Sequence, residues 1–276
     1  MYKCPVCNEV LKLVDKSYKC QNGHCFDVNK KGFVNLLLAN QSHSENPGDS
    51  KEMIDARTSF LNKGYYKELR NKLFEIINNL MPSNGVFCDL ACGEGYYTHF
   101  IHKLLNKDKV VTSYGVDLSK FGIAECSRKM RIEQIKNMNY CIGNLMYLPY
   151  SFESMDIVLN CFAPFFEDEF ARIIKKSGYF IRVLPNVDHM VELKKLLYKE
   201  VKLNELKESN LTKFTLVDEI DLRYQKEFNN NEDLMHLFMM TPLYYKSSLN
   251  VLNLIKKIDS LLLTLSFKIY VYRKTN

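Results

Sequence analysis

Short apolar runs alternate with amphipathic stretches between residues 65 and 184. The runs are five to eight residues long, as buried parallel strands are, and the intervening stretches repeat apolar residues at helical spacing. The pattern predicts helices at 65–81, 97–106, 119–131 and 167–175, and strands at 86–90, 110–117, 139–143, 155–162 and 178–184. This alternation predicts an α/β fold, in which helices cover both faces of a mostly parallel sheet.

The last third of the chain has a weaker pattern. Strand-like stretches at 214–220 and 266–273 flank helical stretches at 235–240 and 249–262. Ligands of open α/β sheets bind at the carboxyl ends of the strands, so the residues that follow each strand are the first candidates for a binding site.

The segment at 87–98 combines a strand, a glycine turn and the start of a helix. The strand ends near Asp89, and the turn contains Gly93 and Gly95. Glycines let a ligand approach the backbone where a Cβ would clash, and the N-terminus of the following helix carries a partial positive charge. The segment therefore predicts a ligand site.

A second strand ends in another acid, Asp117, about 20 residues after this turn, where dinucleotide-binding folds hold ribose hydroxyls. The turn lacks both a complete G-x-G-x-x-G and a basic residue for a phosphate. We therefore predict S-adenosylmethionine as the ligand, in preference to a nicotinamide cofactor. The third strand ends at Asn144 and Leu145, which we expect near the adenine.

Four cysteines and a histidine lie within the first 25 residues, with the spacing C-x2-C-x12-C-x3-H followed by another cysteine. Cys4 and Cys7 can bind one tetrahedral ion from a tight turn, and Cys20 with a second residue closes the site. So short a segment cannot bury a core, so the ion would supply its folding energy. We predict one structural zinc ion, and the spacing leaves His24 and Cys25 open as the fourth ligand.

These features divide the chain into a zinc-binding module at 1–35, a connector at 36–64 and a main domain at 65–276. The connector is polar from 40 to 50, and Asp49 or Ser50 is a candidate helix cap. Arg57 and Lys63 also lie on it. A solvated face is the simpler interpretation of these two basic residues, and contact with RNA is the alternative.

The composition is that of an ordinary globular protein, with 276 residues, 46% hydrophobic and 25% charged. Neither a transmembrane run nor a signal region is visible, so we expect a cytoplasmic protein with no membrane partner. The net charge of +6 favours an anionic partner such as nucleic acid. The odd count of nine cysteines disfavours a disulfide framework.

The chain resembles the bacterial 23S rRNA (guanine-N1)-methyltransferases along nearly its whole length. The segments that carry the resemblance are the cysteine and histidine spacing above, Phe26-Asp27, GFVNLL at 32–37, PGDS at 47–50, Glu52-Met53, Ala56-Arg57, Phe60-Leu61, CGEGYYTH at 92–99, Ala163-Pro164, HMVELK at 189–194 and Met240-Thr241-Pro242.

The resemblance implies a zinc ribbon joined to a class I S-adenosylmethionine-dependent methyltransferase domain with a seven-stranded, Rossmann-like sheet at 65–276. It implies a homodimer that methylates N1 of one guanine in a hairpin of 23S rRNA, and it favours His24 as the fourth zinc ligand. The cofactor contacts that it implies are Tyr66, Gly93, Glu94 and His189.

Two departures from the family pattern bear on the predicted site. Ala91 stands where relatives usually have glycine, and Asn160 stands at the end of the fourth strand where relatives can carry arginine. The first departure would crowd the cofactor slightly, and the second puts a catalytic role of that position in doubt.

Methylation of a neutral guanine requires removal of the proton on N1, and Asp156 and His189 are candidate bases. Asn186 and Asn160 could read the guanine edge. Two other functions stay open on the sequence alone. One is a small-molecule methyltransferase with the ribbon as a lid, and the other is a non-catalytic zinc-ribbon protein that binds RNA.

Overall fold

The computed structural model describes residues 1–42, 44, 46–197, 200–201, 203–205, 211–241, 244 and 247–275. A three-stranded antiparallel sheet forms the N-terminal ribbon, and an eight-stranded sheet forms the core of the molecule. In chain order the elements are β1 Lys12–Val14, β2 Ser17–Lys19, β3 Cys25–Asp27, β4 Val34–Asn35, a 3₁₀ helix Ala39–Gln41, α1 Lys51–Asn62, α2 Lys67–Leu80, β5 Asn84–Leu90, α3 Tyr96–Leu105, β6 Val110–Asp117, α4 Lys120–Ile132, β7 Met138–Ile142, β8 Met155–Cys161, α5 Glu167–Ile173, β9 Ile174–Pro185, α6 Val191–Leu197, β10 Phe214–Phe228, α7 Asn231–Met239, α8 Leu249–Ile255 and β11 Leu261–Lys274.

The strands of the large sheet lie in the order β10-β11-β9-β8-β5-β6-β7-β4. β11 is antiparallel to both neighbours, and the other pairs are parallel. Successive residues of β5, Phe87 and Cys88, pack into different hydrophobic clusters, so the sheet is covered on both faces. The predicted α/β fold with seven mostly parallel strands is confirmed for residues 84–274, and β4 adds an eighth strand beside β7.

The last third differs from the predicted pattern. β10 continues to Phe228, and the helix predicted at 249–262 ends at Ile255, because the chain enters β11 at Leu261. β11 lies between β9 and β10, and residues 263–267 are all buried. A strand buried on both faces has a continuous apolar run, which periodicity cannot distinguish from a buried helix.

The ribbon is attached to the main sheet through the first residues of the chain. Tyr2 is 3% exposed, its ring stacks on Tyr150 at 5.7 Å between centroids, and the two residues form an antiparallel bridge. The amide of Lys3 donates to the carbonyl of Pro149 at 3.0 Å. The ribbon is therefore packed on the main domain, and the division at 1–35, 36–64 and 65–276 stays a prediction.

The connector forms α1, and Ser50 caps it by accepting a hydrogen bond from the amide of Met53 at 3.3 Å. Arg57 pairs with Asp49, and Lys63 pairs with a buried carboxylate on α7. Both basic side chains predicted as solvated or RNA-binding are therefore committed to acids. None of the helices that the structure describes is long and apolar enough to span a bilayer.

Candidate active site and metal centre

A cleft of about 980 Å³ opens at the carboxyl ends of the central strands. Its floor includes residues just after β5, β6, β8 and β9, which meet at one edge because these strands are parallel. α1 contributes one wall through Met53, Arg57 and Leu61, and α7 contributes Leu237. The volume is at the upper end of the range for small-molecule sites, so the cleft has room for a methyl donor and a purine.

The glycine turn after β5 lies in this cleft and has left-handed backbone at three positions. Gly93 has φ of 56° and Gly95 has φ of 81°. A Cβ at Gly95 would lie 2.5 Å from the ring of His99, so this position requires glycine. Ala91 has φ of 59°, a left-handed conformation in which an L-residue is strained and glycine is favoured.

Asp89 is buried beneath the turn, with 2% of its surface exposed. The hydroxyl of Thr98 donates to its Oδ2 at 2.5 Å. Burial raises the pKa of Asp89 to about 7, and the hydrogen bond from Thr98 opposes that rise. The carboxyl is therefore poised to ionise near neutral pH when a cationic ligand approaches.

Asp117 fixes the shape of the turn from the end of β6. Its Oδ2 accepts the amide of Gly93 at 2.9 Å, and its Oδ1 accepts the amide of Ser119 at 2.7 Å. Burial raises the pKa of this carboxyl, and the two amides oppose the rise. Each oxygen keeps a second lone pair, so the carboxylate can also accept hydrogen bonds from ribose hydroxyls.

Glu94 is buried at the start of the following helix, where its carboxylate pairs with the ammonium of Lys129. The pair ties the turn to α4, and Glu94 also lines the cleft. The resemblance predicted Glu94 as a cofactor contact, and the ion pair gives it a structural role as well.

His189 and Tyr66 both line the cleft, and both rings pack against Phe267, with centroid distances of 4.9 and 5.0 Å. Nδ1 of His189 accepts the amide of Ser266 at 3.1 Å, so in the neutral ring the hydrogen is on Nε2. Burial lowers the pKa of His189 to about 4 and raises that of Tyr66. Both residues are therefore neutral at physiological pH, and His189 offers an N–H donor.

Asn144 follows β7 and uses its side chain to hold two loops. Its Nδ2 donates to the carbonyl of Gln41 at 2.9 Å, and its Oδ1 accepts the amide of Met146. Leu145 beside it supplies an apolar surface in the cleft. This geometry suits Leu145 as a wall for the adenine and Asn144 as a positioning residue.

Eight of the nine residues predicted to bind the cofactor line the cleft, and Gly95 lies just behind the others. Their direct contact with the cofactor stays a prediction. The eight are Tyr66, Asp89, Gly93, Glu94, Asp117, Asn144, Leu145 and His189.

Three other candidates lie elsewhere. Asp156 is at the opposite end of β8, where it accepts the amide of Val86 and pairs with Lys175. Asn186 donates to the carboxylate of Asp221, away from the cleft. Asn160 is fully buried in β8, outside the cleft lining, and its Oδ1 has no partner among the described residues.

Two cleft residues were missed by sequence reasoning. Phe162 directly follows β8 with φ of 57°, and 42% of its surface is exposed. Such strain in a bulky residue concentrates at functional sites. Lys194 lines the cleft while only 8% exposed. Its place in the HMVELK segment, five residues after His189, was the available signal.

The zinc ligands predicted from spacing come together in the ribbon. The donor atoms of Cys4, Cys7, Cys20 and His24 all lie within 4.8 Å of one another, and Cys25 is exposed outside the group. The Sγ atoms of Cys7 and Cys20 are 3.7 Å apart, and Sγ of Cys20 is 3.4 Å from Nδ1 of His24. A zinc tetrahedron has edges of about 3.8 Å between sulfurs and about 3.5 Å from sulfur to nitrogen. The donor set therefore fits zinc, with all four positions filled by protein.

Comparison with known proteins agrees with this geometry. Residues 2–45 match the zinc-ribbon family described as "RlmA, N-terminal", and residues 82–241 match the family described as "Methyltransferase domain". A candidate 23S rRNA (guanine-N1)-methyltransferase of Bacillus subtilis is 26% identical over 99% of this chain and 97% of its own length. Another, of Micromonospora griseorubida, is 31% identical over 69% of this chain and 68% of its own length.

The chain belongs to the 23S rRNA (guanine-N1)-methyltransferase family. A further relative, the 23S rRNA (guanine(748)-N(1))-methyltransferase of Streptomyces fradiae, is 27% identical over 69% of this chain and 65% of its own length. A solved structure of a candidate methyltransferase from Bacillus halodurans matches the fold with a TM-score of 0.50 at 15% identity, covering 75% of this chain and 99% of that one. Membership of the family and the ribbon cluster confirm the predicted methyl donor, S-adenosylmethionine, and one zinc ion.

Proposed function

We propose that this protein transfers a methyl group from S-adenosylmethionine to N1 of one guanine in a hairpin of 23S rRNA. The observation that carries the proposal is the cleft of this family member, where the glycine turn, Asp117 and His189 lie around a space large enough for a second ring system. The sulfonium supplies a reactive methyl group when bound. The protein's own task is to hold the guanine in line with it.

Phe162 supports a nucleobase as the substrate. Its ring lines the cleft next to Pro164 and Phe166, and its centroid lies 5.7 Å from Phe267 and 6.4 Å from Tyr66. A base must leave its stack to reach such a pocket, and an aromatic side chain replaces part of the lost stacking. The strained backbone of Phe162 holds its ring toward this space.

Methylation of unmodified RNA tests the proposal directly. Purified protein, labelled S-adenosylmethionine and unmodified 23S rRNA should yield 1-methylguanosine on nucleoside mass spectrometry. Asp117→Ala should abolish the product, because it removes the hydrogen bonds to the amides of Gly93 in the turn and Ser119 at the start of α4, together with the proposed ribose acceptor. Asp108→Ala, at an exposed acid, is the matched control. If the protein methylates small molecules and leaves the RNA unmethylated, the small-molecule alternative is supported.

We also propose that the ribbon binds the rRNA hairpin. Residues 1–35 contain six lysines against three acids, so the ribbon is locally basic. Replacing Cys4 and Cys7 by serine should abolish RNA binding while S-adenosylmethionine binding survives, and Cys25→Ser should change neither. Loss of both binding activities in the double variant would indicate that the zinc only stabilises the fold.

The proposal also includes a hairpin as the RNA element and a homodimer, as the resemblance implies. The expected cytoplasmic location agrees with a ribosomal RNA substrate. RNA affinity should fall steeply with salt, whereas affinity for an uncharged small substrate would not. Sedimentation equilibrium should give twice the chain mass of 32.4 kDa. Binding of RNA with no measurable binding of S-adenosylmethionine would instead support the alternative of a non-catalytic RNA-binding protein.

A further inference from the structure

The proposed reaction needs a group that takes the proton from guanine N1, and the two candidates from the sequence do not serve. Asp156 lies at the far end of β8, paired with Lys175. His189 lies in the cleft, but its basic nitrogen, Nδ1, already accepts the amide of Ser266. The nitrogen that remains carries a hydrogen and cannot accept another.

Lys194 is a cleft residue with an amine that is not neutralised by any described carboxylate. Its Nζ donates to Oδ1 of Asn204 at 2.7 Å, and this amide oxygen is a neutral acceptor. No acid among the described residues lies within ion-pair distance of it. A buried ammonium without a counter-charge is costly, so the surroundings favour the neutral amine.

The acids nearest in sequence are used elsewhere. Glu192 accepts the amide and hydroxyl of Thr264, and Asp188 pairs with Arg223. His189 interacts electrostatically with Lys194, but it is neutral because burial, with a smaller contribution from Lys194, lowers its pKa to about 4. Burial lowers the pKa of Lys194 as well.

The other acids of the cleft are also committed. Asp49 pairs with Arg57, and Glu94 pairs with Lys129. Asp117 accepts two backbone amides, and Asp89 is buried under the turn with Thr98. Among the carboxylates and amines of the described cleft, Lys194, Asp89 and Asp117 have no ionic partner. Asp89 and Asp117 lie at the glycine turn, at the predicted cofactor site, so Lys194 is the better placed candidate for the base.

We propose that Lys194 is the general base that removes the N1 proton, an inference that rests on the proposed function. The neutral amine takes the proton, and the electron pair of the N1–H bond stays on the guanine. N1 then bonds to the methyl carbon as the carbon–sulfur bond breaks, and that pair stays on sulfur. The ammonium of Lys194 returns its proton to water after the products leave.

A purely structural role for Lys194 makes a different prediction. The side chain of Asn204 also donates to the carbonyl of Asn186 at 2.7 Å, so Lys194 could simply hold this loop. In that case its removal would lower stability and RNA affinity, and an added amine could not restore the chemistry. If Lys194 instead acts as a fixed cation that binds O6 of the guanine, then replacing it by arginine should preserve methyl transfer.

Single-turnover methylation of 23S rRNA separates these roles. Lys194→Ala should slow methyl transfer about 100-fold or more, the usual contribution of a general base, while S-adenosylmethionine binding is unchanged. Methylamine should restore part of the rate in proportion to the concentration of neutral amine. Lys195→Ala, at the exposed neighbouring lysine, should behave like the unmodified protein.

Lys194→Arg decides between base and fixed cation, including when the alanine variant does not fold. The guanidinium stays protonated, so this variant should be as slow as Lys194→Ala. A Lys194→Arg rate within about threefold of normal, or no rescue of a folded Lys194→Ala variant by methylamine, would overturn the proposal. Absence of 1-methylguanosine with the unmodified protein would refute the proposed function instead.

Discussion

Replacing Asp89 by asparagine should stabilise the protein above neutral pH and weaken cofactor binding. Asp89 is 2% exposed, and its pKa in the folded protein is raised to about 7 by burial. An unfolded aspartate titrates near 3.9. The folded state therefore binds the extra proton between about pH 4 and pH 7, and the free energy of unfolding falls as pH rises through that window.

The size of the effect follows from the pKa difference. A difference of about 3 units corresponds to about 4 kcal/mol, which the folded protein loses between pH 4 and pH 8. Asparagine cannot ionise, and its amide oxygen can still accept the hydroxyl of Thr98. We expect Asp89→Asn to be more stable than the unmodified protein by about 2–4 kcal/mol at pH 8 and nearly equal to it at pH 4.

Urea unfolding at pH 4, 5, 6, 7 and 8 measures this difference directly. Asp108→Asn, at an exposed acid, controls for the removal of one negative charge. The same variants titrated with S-adenosylmethionine should show weaker binding for Asp89→Asn alone, because the ionised carboxylate favours a cationic ligand. Parallel stability curves for Asp89→Asn and the unmodified protein across this pH range would refute the reasoning.

Three further changes test other parts of the structure. Ala91→Gly should stabilise the protein by about 0.5–1 kcal/mol in urea, because φ of 59° strains alanine by more than glycine costs in chain entropy; a loss of stability would contradict this. If one base stacks on the ring of Phe162, Phe162→Ala should raise the KM for RNA about 5- to 150-fold, whereas Phe162→Tyr should leave the KM nearly unchanged. Equal KM values for Phe162→Ala and the unmodified protein would argue against stacking. Asp233→Ala should cost about 2–3 kcal/mol, because it removes the acceptor of the partly buried Tyr65 hydroxyl and the closer of two carboxylates at Lys63, and Asp259→Ala at an exposed acid is its control. Equal melting temperatures for these last two variants would contradict the role of that pair.

The sequence predicts the parts of the fold in which the local pattern of apolar runs and turn residues agrees with the order of strands and helices in the whole sheet. The strand, glycine turn, helix and strand around Asp89 and Asp117 have short apolar runs and turn residues at fixed spacing. The zinc ligands follow from spacing because each pair of ligands lies within a few residues. The pattern places Leu261 and Leu262 of β11 in a helix and begins the strand only at 266, because the buried run at 263–267 shows no alternation.

The roles of single side chains could not be read in the same way. Arg57 and Lys63 have the sequence pattern of exposed basic residues. Lys63 pairs with a carboxylate that is distant in sequence, on α7, and Arg57 pairs with Asp49, which precedes the cap of its own helix. The tautomer of His189 depends on an amide 77 residues later. Phe162 carries no sequence pattern of its own, and Lys194 is marked only by its place in the HMVELK segment, so the tertiary structure is needed to place both in the cleft.

Primer extension on 23S rRNA from cells with and without the gene tests the central claim most directly. A methyl group on N1 blocks base pairing, so reverse transcriptase should stop one nucleotide before the modified guanine. We predict a stop that disappears when the gene is deleted and returns when the unmodified gene is restored, but not when the Asp117→Ala variant is supplied. Identical stops in both strains, with the protein expressed, would contradict the assignment to rRNA.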